Sequence, residues 1–129
     1  SMSTLEVSNL NDGTTTVATT FVTNGSAKAW AMADMDGDDA IEDSFNFASV
    51  TDNGTGDYEF NFTNSMSSAS YAKSGNNGNK AKRTDSVTIN RPAVSTSSAY
   101  KFTSLFATSS SEGAYDADDI SAVIHGDLA

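Results

Sequence analysis

The sequence predicts an all-β fold, an antiparallel β-sandwich or jelly-roll-like barrel. Three observations carry that prediction. Ile41 to Thr63 reads as a β-hairpin in one line, with Phe45 and Phe47 alternating with polar neighbours and Tyr58, Phe60 and Phe62 alternating across Glu59 and Asn61. Between them, Thr51-Asp52-Asn53-Gly54-Thr55-Gly56-Asp57 is dense in residues that accept left-handed backbone, and Asn53-Gly54 is the expected turn. Turn clusters recur at Asn24-Gly25, Asp36-Gly37, Gly75-Asn76-Asn77-Gly78 and Glu112-Gly113, and no segment keeps a helical period over three turns.

Taken in order, residues 1–25 are Thr-rich with sparse apolar side chains and read as an extended neck or oligomerisation segment. Leu5 and Val7 share one face there, with too little apolar area to hold a strand alone. Leu5, Val7 and Leu10 are therefore candidate contacts between copies. Val17–Val22 is a weak strand candidate. A single β domain follows over residues 26–129, with strands expected at Ala27–Ala33, Asp43–Val50, Asp57–Thr63, Ala69–Ser74, Thr84–Arg91, Ala99–Ala107 and Asp119–His125. Ala114–Ile120 has the Asp residues of a short helical turn. Tyr58, Phe60, Phe62, Tyr100, Phe102 and Phe106 are expected on core faces. Adjacent Val123 and Ile124 predict a last strand covered on both sides.

Composition narrows the partners. Of 129 residues, 46 are Ser, Thr or Asn, yet seven Phe, four Tyr and one Trp supply a core, and the apolar residues alternate rather than scatter. The formal net charge of −10 argues against a phosphate-binding surface of the usual basic kind, so nucleic acid is not an expected partner. No apolar run reaches membrane-spanning length and no signal peptide is visible, so membrane insertion is not expected either. The absence of Cys removes disulfides, thiolate metal sites and Cys nucleophiles. Ser1 ahead of Met2 reads as a cloning remnant, which would make Met2 the start of a short complete protein.

Several strings resemble small tail-fibre-like proteins of tailed bacteriophages, common in phages of marine bacteria. They are Asn24-Gly25-Ser26-Ala27-Lys28-Ala29-Trp30, Asp43-Ser44-Phe45-Asn46, Thr51 through Tyr58, the opening Ser3-Thr4-Leu5-Glu6-Val7, and the closing Ile120 to Asp127. The resemblance spans most of the chain, and its motifs are structural. It implies a non-enzymatic receptor-binding module of a homotrimeric fibre, made in the host cytoplasm and placed in the virion beside other virion proteins. Its target would be a bacterial surface polysaccharide or lipopolysaccharide. This chain departs from the pattern after Trp30, where relatives are Asn- and Gly-rich and this loop is acidic. A virion decoration protein without a host ligand and a small glycan-degrading enzyme are the alternatives.

Four sets of residues are candidates for chemistry. Tyr71, Lys73, Asn76, Asn77, Lys80, Lys82 and Arg83 gather four of the seven basic residues around a Gly/Asn run, read as a projecting loop. Amides and cations of that kind suit an anionic glycan, and the plain alternative is a solubilising hairpin loop. Asp34, Asp36 and Asp38, with Asp39, invite a cation, but counting from Asp34 the glycine, Gly37, is fourth where an EF-hand loop needs it sixth, and the twelfth residue is Phe45 where it needs Glu, so a solvated turn is the simpler reading. Trp30 is expected in the core or at a subunit interface, with sugar stacking as the other use. His125 is the only histidine, and nothing marks a nucleophile for it. No catalytic residue and no cofactor is expected. Asn-x-Ser/Thr strings at Asn24, Asn53 and Asn61 are what chance gives in such a composition.

Overall fold

The structure, a computed structural model, describes residues 2–78 and 87–129, with the backbone alone over 87–92. It is an antiparallel all-β protein with three sheets among the described residues. β1 (Asn9–Asn11) and β2 (Thr16–Ala18) form a small hairpin followed by α1 (Thr20–Gly25). A four-stranded sheet has the order β4-β3-β11-β7, built from β3 (Ala29–Asp34), β4 (Ala40–Phe45), β7 (Ala72–Gly78) and β11 (Asp119–His125). The larger sheet holds β5 (Phe47–Gly54), β6 (Asp57–Phe62), β8 (Val87–Pro92), β9 (Ala99–Ala107) and β10 (Glu112–Ala114). Long β9 organises it, pairing with β6 through Ala99–Thr103 and with β8 and β10 through its second half.

Alternation does what the sequence requires of it. Tyr58, Phe60, Phe62, Tyr100 and Phe102 are buried, while Glu59 and Lys101 lie opposite each other on the outer face, 3.3 Å apart. The rings of Phe47, Phe60, Phe102, Tyr58 and Tyr100 form a chain with centroids 4.8–5.7 Å apart once Phe62 is included. In the same hydrophobic cluster the four-stranded sheet contributes mostly small side chains: Ala29, Ala31, Ala33 and Ala122, with Ile120 and Ile124. Aromatic bulk from one sheet and methyl groups from the other fill the same cluster, as close packing requires.

Several expected elements are corrected. Asp43–Val50 is not one strand, because Asn46 adopts φ 59° and divides it into β4 and β5 in different sheets. Asn is the commonest residue besides Gly to take this conformation. Its side chain seals the corner: Oδ1 accepts the Asn64 backbone N–H at 2.7 Å, and Nδ2 donates to Asn64 O at 3.1 Å. The hairpin is therefore β5–β6, and Phe45 points away from Phe47. Its turn is Thr55-Gly56, with Gly54 paired to Asp57 and a bulge after Asp52, and not Asn53-Gly54. Gly56 has φ 68°, and a Cβ there would lie 2.6 Å from Ser104 O, so the close approach of this turn to β9 requires glycine.

The Val17–Val22 strand stops at Ala18; Thr19 instead donates its hydroxyl to Val7 O at 2.9 Å, and the chain turns into α1. Ala114–Ile120 is not helical. Ala114 ends β10 and Asp119 begins β11, and Met35 N–H reaches Ala117 O at 2.8 Å between them. The expected strand Ala69–Ser74 lies later, at Ala72–Gly78. β11 buries Ile120, Ala122 and Ile124 only; Val123 is half-buried on the outer face, so the last strand is not covered equally on both sides. Among the described residues no helix is long and apolar enough to cross a membrane.

Candidate functional site

The Gly/Asn run expected to project as a loop is β7. Gly75 pairs with Ala122, Asn76 with Ser121 and Asn77 with Ile120. Gly and Asn have poor strand propensity, but β11 provides a complete ladder, and context outweighs preference. Period two then separates the two amides. Asn76 is exposed on the outer face. Asn77 is 1% exposed, donates to Ser104 Oγ at 2.8 Å and Tyr115 OH at 3.3 Å, and leaves Oδ1 without a hydrogen-bond partner.

Tyr71, just before β7, is also a core residue. Its ring meets Phe62 edge-on at 5.5 Å, and its hydroxyl donates to Ala99 O at 2.9 Å and lies 3.1 Å from Thr96 O. Burial pushes its phenol pKa up. The Lys73 ammonium sits 4.5 Å from the centre of that ring. Lys73 thus caps the core at an edge strand, where a cation also discourages pairing with another chain. Tyr71 and Asn77 are corrected from ligand contacts to core residues, because alternation turns them inward. Lys80, Lys82 and Arg83 lie outside the described residues.

The acidic segment follows β3. Asp34 Oδ1 accepts the Asp36 N–H at 2.9 Å, and Asp36, Asp38 and Asp39 are exposed. Asp39 takes φ 49°. Its pKa is raised, first by partial loss of hydration and then by the carboxylates of Asp52, Asp116, Asp34 and Asp36. Among the described residues no group of three His, Cys, Asp or Glu side chains is placed to hold a metal ion. Asp116 has a defined structural task that the sequence did not reveal: its Oδ1 accepts the Tyr58 hydroxyl and, at 2.9 Å, the Gly56 N–H. It clamps the β5–β6 turn to the segment between β10 and β11. Burial and this carboxylate raise the Tyr58 pKa far above that of a free phenol.

Trp30 is not in the core. Ala29 and Ala31 on either side of it are buried, so Trp30 faces outward, 39% exposed. It pairs with Phe45 on one side and Val123 on the other, and Val123 pairs with Ser74. The next outward row is Asp43, Met32, Ser121 and Asn76. A row of Phe45, Trp30 and Val123 ending in Ser74 thus runs beside a row in which Asp43, Ser121 and Asn76 accompany Met32. The signal that could have found Phe45 here is Asn46: a residue tolerant of left-handed backbone between two Phe invites a change of face.

Leu5, Val7 and Leu10 lie in the N-terminal segment, where with Thr19 and Val22 they line an open groove of about 590 Å³. Phe21 beside it is 73% exposed, and α1 buries no residue. The Asp12 carboxylate accepts the N–H groups of Thr15 at 2.8 Å and Thr14 at 2.9 Å, which orders the β1–β2 turn and lowers its pKa. Compared with protein-family models, curated proteins and solved structures, the chain matches none of them.

Proposed function

We propose that this chain is a non-enzymatic virion protein, a tail-fibre or receptor-binding module of a tailed phage that attaches to a bacterial surface glycan as a homotrimer. In this reading the two larger sheets form a β-sandwich standing on a neck made by residues 1–25. One observation carries it: Leu5, Val7, Leu10, Val17, Phe21 and Val22 are all exposed within one short segment. Two three-residue strands and a six-residue helix do not stabilise themselves in water. Such a segment is at home where sister copies cover it.

Charge supports the same arrangement. All seven basic residues and fifteen of the seventeen acidic ones lie beyond residue 26, leaving Glu6 and Asp12 as the charged side chains before it. The acidic bodies repel one another, whereas the arms, poor in charge, can meet. Three weak sites held on one stem would gain avidity without tight binding at any one of them. The resemblance of the sequence strings supports the choice of a trimeric phage fibre.

A second reading, a virion decoration protein with no host ligand, is favoured by the absorption of Gly75–Gly78 into β7 rather than into a projecting loop. Light scattering tests the first. A mass in solution three times that of the chain is expected, and a clean monomer at micromolar concentration would remove it.

A further inference from the structure

We propose that the outer face of the four-stranded sheet, centred on Trp30 and Phe45, is a stacking site for an uncharged glycan; this builds on the attachment reading above and gives it a place and a ligand class. The site is made by register. Phe45, Trp30 and Val123 are cross-strand neighbours on β4, β3 and β11, and their side chains share the face opposite the buried alanines. Phe45 is 55% exposed and Trp30 39%. Large aromatic side chains at an outer sheet position support the sheet as a cross-strand pair and still leave apolar area in water, while Ala29, Ala31 and Ala33 face the core.

The pattern of the face fits a sugar. A pyranose presents a flat patch of C–H groups and a rim of hydroxyls. The Phe45–Trp30–Val123 row offers a surface for the first. The adjoining row offers the Ser121 hydroxyl and Asn76 amide on one side of Met32 and the Asp43 carboxylate on the other for the second. Three strands at about 4.8 Å spacing give a platform roughly 10 Å across, the scale of a short oligosaccharide rather than a protein.

Area and charge select the occupant. The exposed parts of Trp30 and Phe45 together amount to roughly 200 Å². A stable protein interface takes about 800 Å² on each side, so these two side chains would be a minor part of one, whereas they match the face of a short sugar chain. Asp43 is the charged side chain in the two rows, and the whole molecule carries −10. An anionic glycan finds no cation within those rows; the ammonium of Lys28, two residues before Trp30, lies 2.9 Å from Ser26 O, and the net charge of the molecule repels an anion. A neutral one meets neither obstacle.

Trp30 is the only tryptophan, so its emission reports on this face alone. The experiment titrates the full chain with cellohexaose, mannohexaose, chitohexaose and, as the anionic comparison, oligogalacturonate. At least one neutral sugar is expected to shift or quench Trp30 emission, with affinity falling at least tenfold in Phe45→Ala. Phe45→Leu, which keeps apolar bulk and loses the ring, serves if Phe45→Ala unfolds, and is expected to show the same loss. The proposal is overturned if no neutral sugar perturbs Trp30, if the response survives Phe45→Leu, or if oligogalacturonate binds more tightly than any neutral sugar. An emission change on concentrating the protein alone, abolished by Phe45→Leu, assigns the face to a second copy and also overturns it. A trimer that ignores neutral sugars keeps the attachment reading and loses this face, whereas a sugar-binding monomer does the reverse.

Discussion

Replacing Asn46 should weaken the protein in an order that ordinary strand chemistry does not give. At a normal strand position alanine is better than glycine. Asn46 sits at φ 59°, where alanine carries a left-handed penalty of about 1–2 kcal/mol that glycine escapes. Both substitutions also remove the bonds to Asn64: Oδ1 accepts its backbone N–H at 2.7 Å and its side-chain amide at 3.1 Å, and Nδ2 donates to its carbonyl at 3.1 Å. At an exposed site such bonds are worth about 0.5–1 kcal/mol each, and two of them share one acceptor, so they contribute about 1–2 kcal/mol together. Asn46→Gly should therefore cost about 1–2 kcal/mol and Asn46→Ala about 2–4 kcal/mol. For a chain of this size the gap between them, about 1–2 kcal/mol, corresponds to roughly 4–8 °C in melting temperature. Urea unfolding followed by circular dichroism at 25 °C measures it. If Asn46→Ala proves as stable as Asn46→Gly, the corner is not held in the left-handed region and the division between β4 and β5 has another cause.

Two further outcomes follow from titrating groups. Tyr58, Tyr71 and Tyr100 all have raised phenol pKa values because they are buried, that of Tyr100 being pushed up to about 12. A raised folded-state pKa gives stability that is complete below the unfolded value near 10 and is lost as pH rises through the folded value. Unfolding free energy should thus fall above pH 10, by about 1.4 kcal/mol per pH unit for each tyrosine that ionises only when unfolded. Absorbance at alkaline pH should show these tyrosines ionising together with unfolding; gradual ionisation of a folded protein near pH 10 contradicts their burial. Asp39→Asn keeps a residue that accepts left-handed backbone and removes one charge from the carboxylates of Asp52, Asp116, Asp34 and Asp36. It should raise the melting temperature at pH 7 and low salt. The gain should shrink in high salt, and also on acidification, because the wild-type Asp39 takes up its proton more readily when folded. An unchanged melting temperature at low salt would deny that these charges act on one another.

What the sequence disclosed was the set of faces. The alternation of Tyr58, Phe60 and Phe62, and of Tyr100 and Phe102, names five of the eighteen buried hydrophobic residues among the described residues, the four largest fully buried side chains among them, because period two has one geometric meaning once a strand is granted. What stayed hidden depended on single backbone angles and on distant partners. Asn46 turns one apparent strand into two and sends Phe45 to the far side of a sheet. Gly75 to Gly78 reads as a loop by propensity and becomes a strand because β11, more than forty residues later, offers it a ladder. Asp116 looks like a helix cap until the Tyr58 hydroxyl arrives from another sheet. The aromatic outer face was invisible for the same reason: a lone Trp in an alternating strand is expected in the core or at an interface, whereas here Ala29 and Ala31 are buried and the indole between them faces outward.

The position of β11 bears on how the molecule is made. It lies between β3 and β7, so the four-stranded sheet has a gap at its centre until the last of its strands has been synthesised. Every nascent chain must therefore wait with two facing edges open, each able to accept a strand from a neighbour on the same messenger. Ribosome spacing and temperature during expression should then matter more to the yield of native protein than the equilibrium stability of the finished domain.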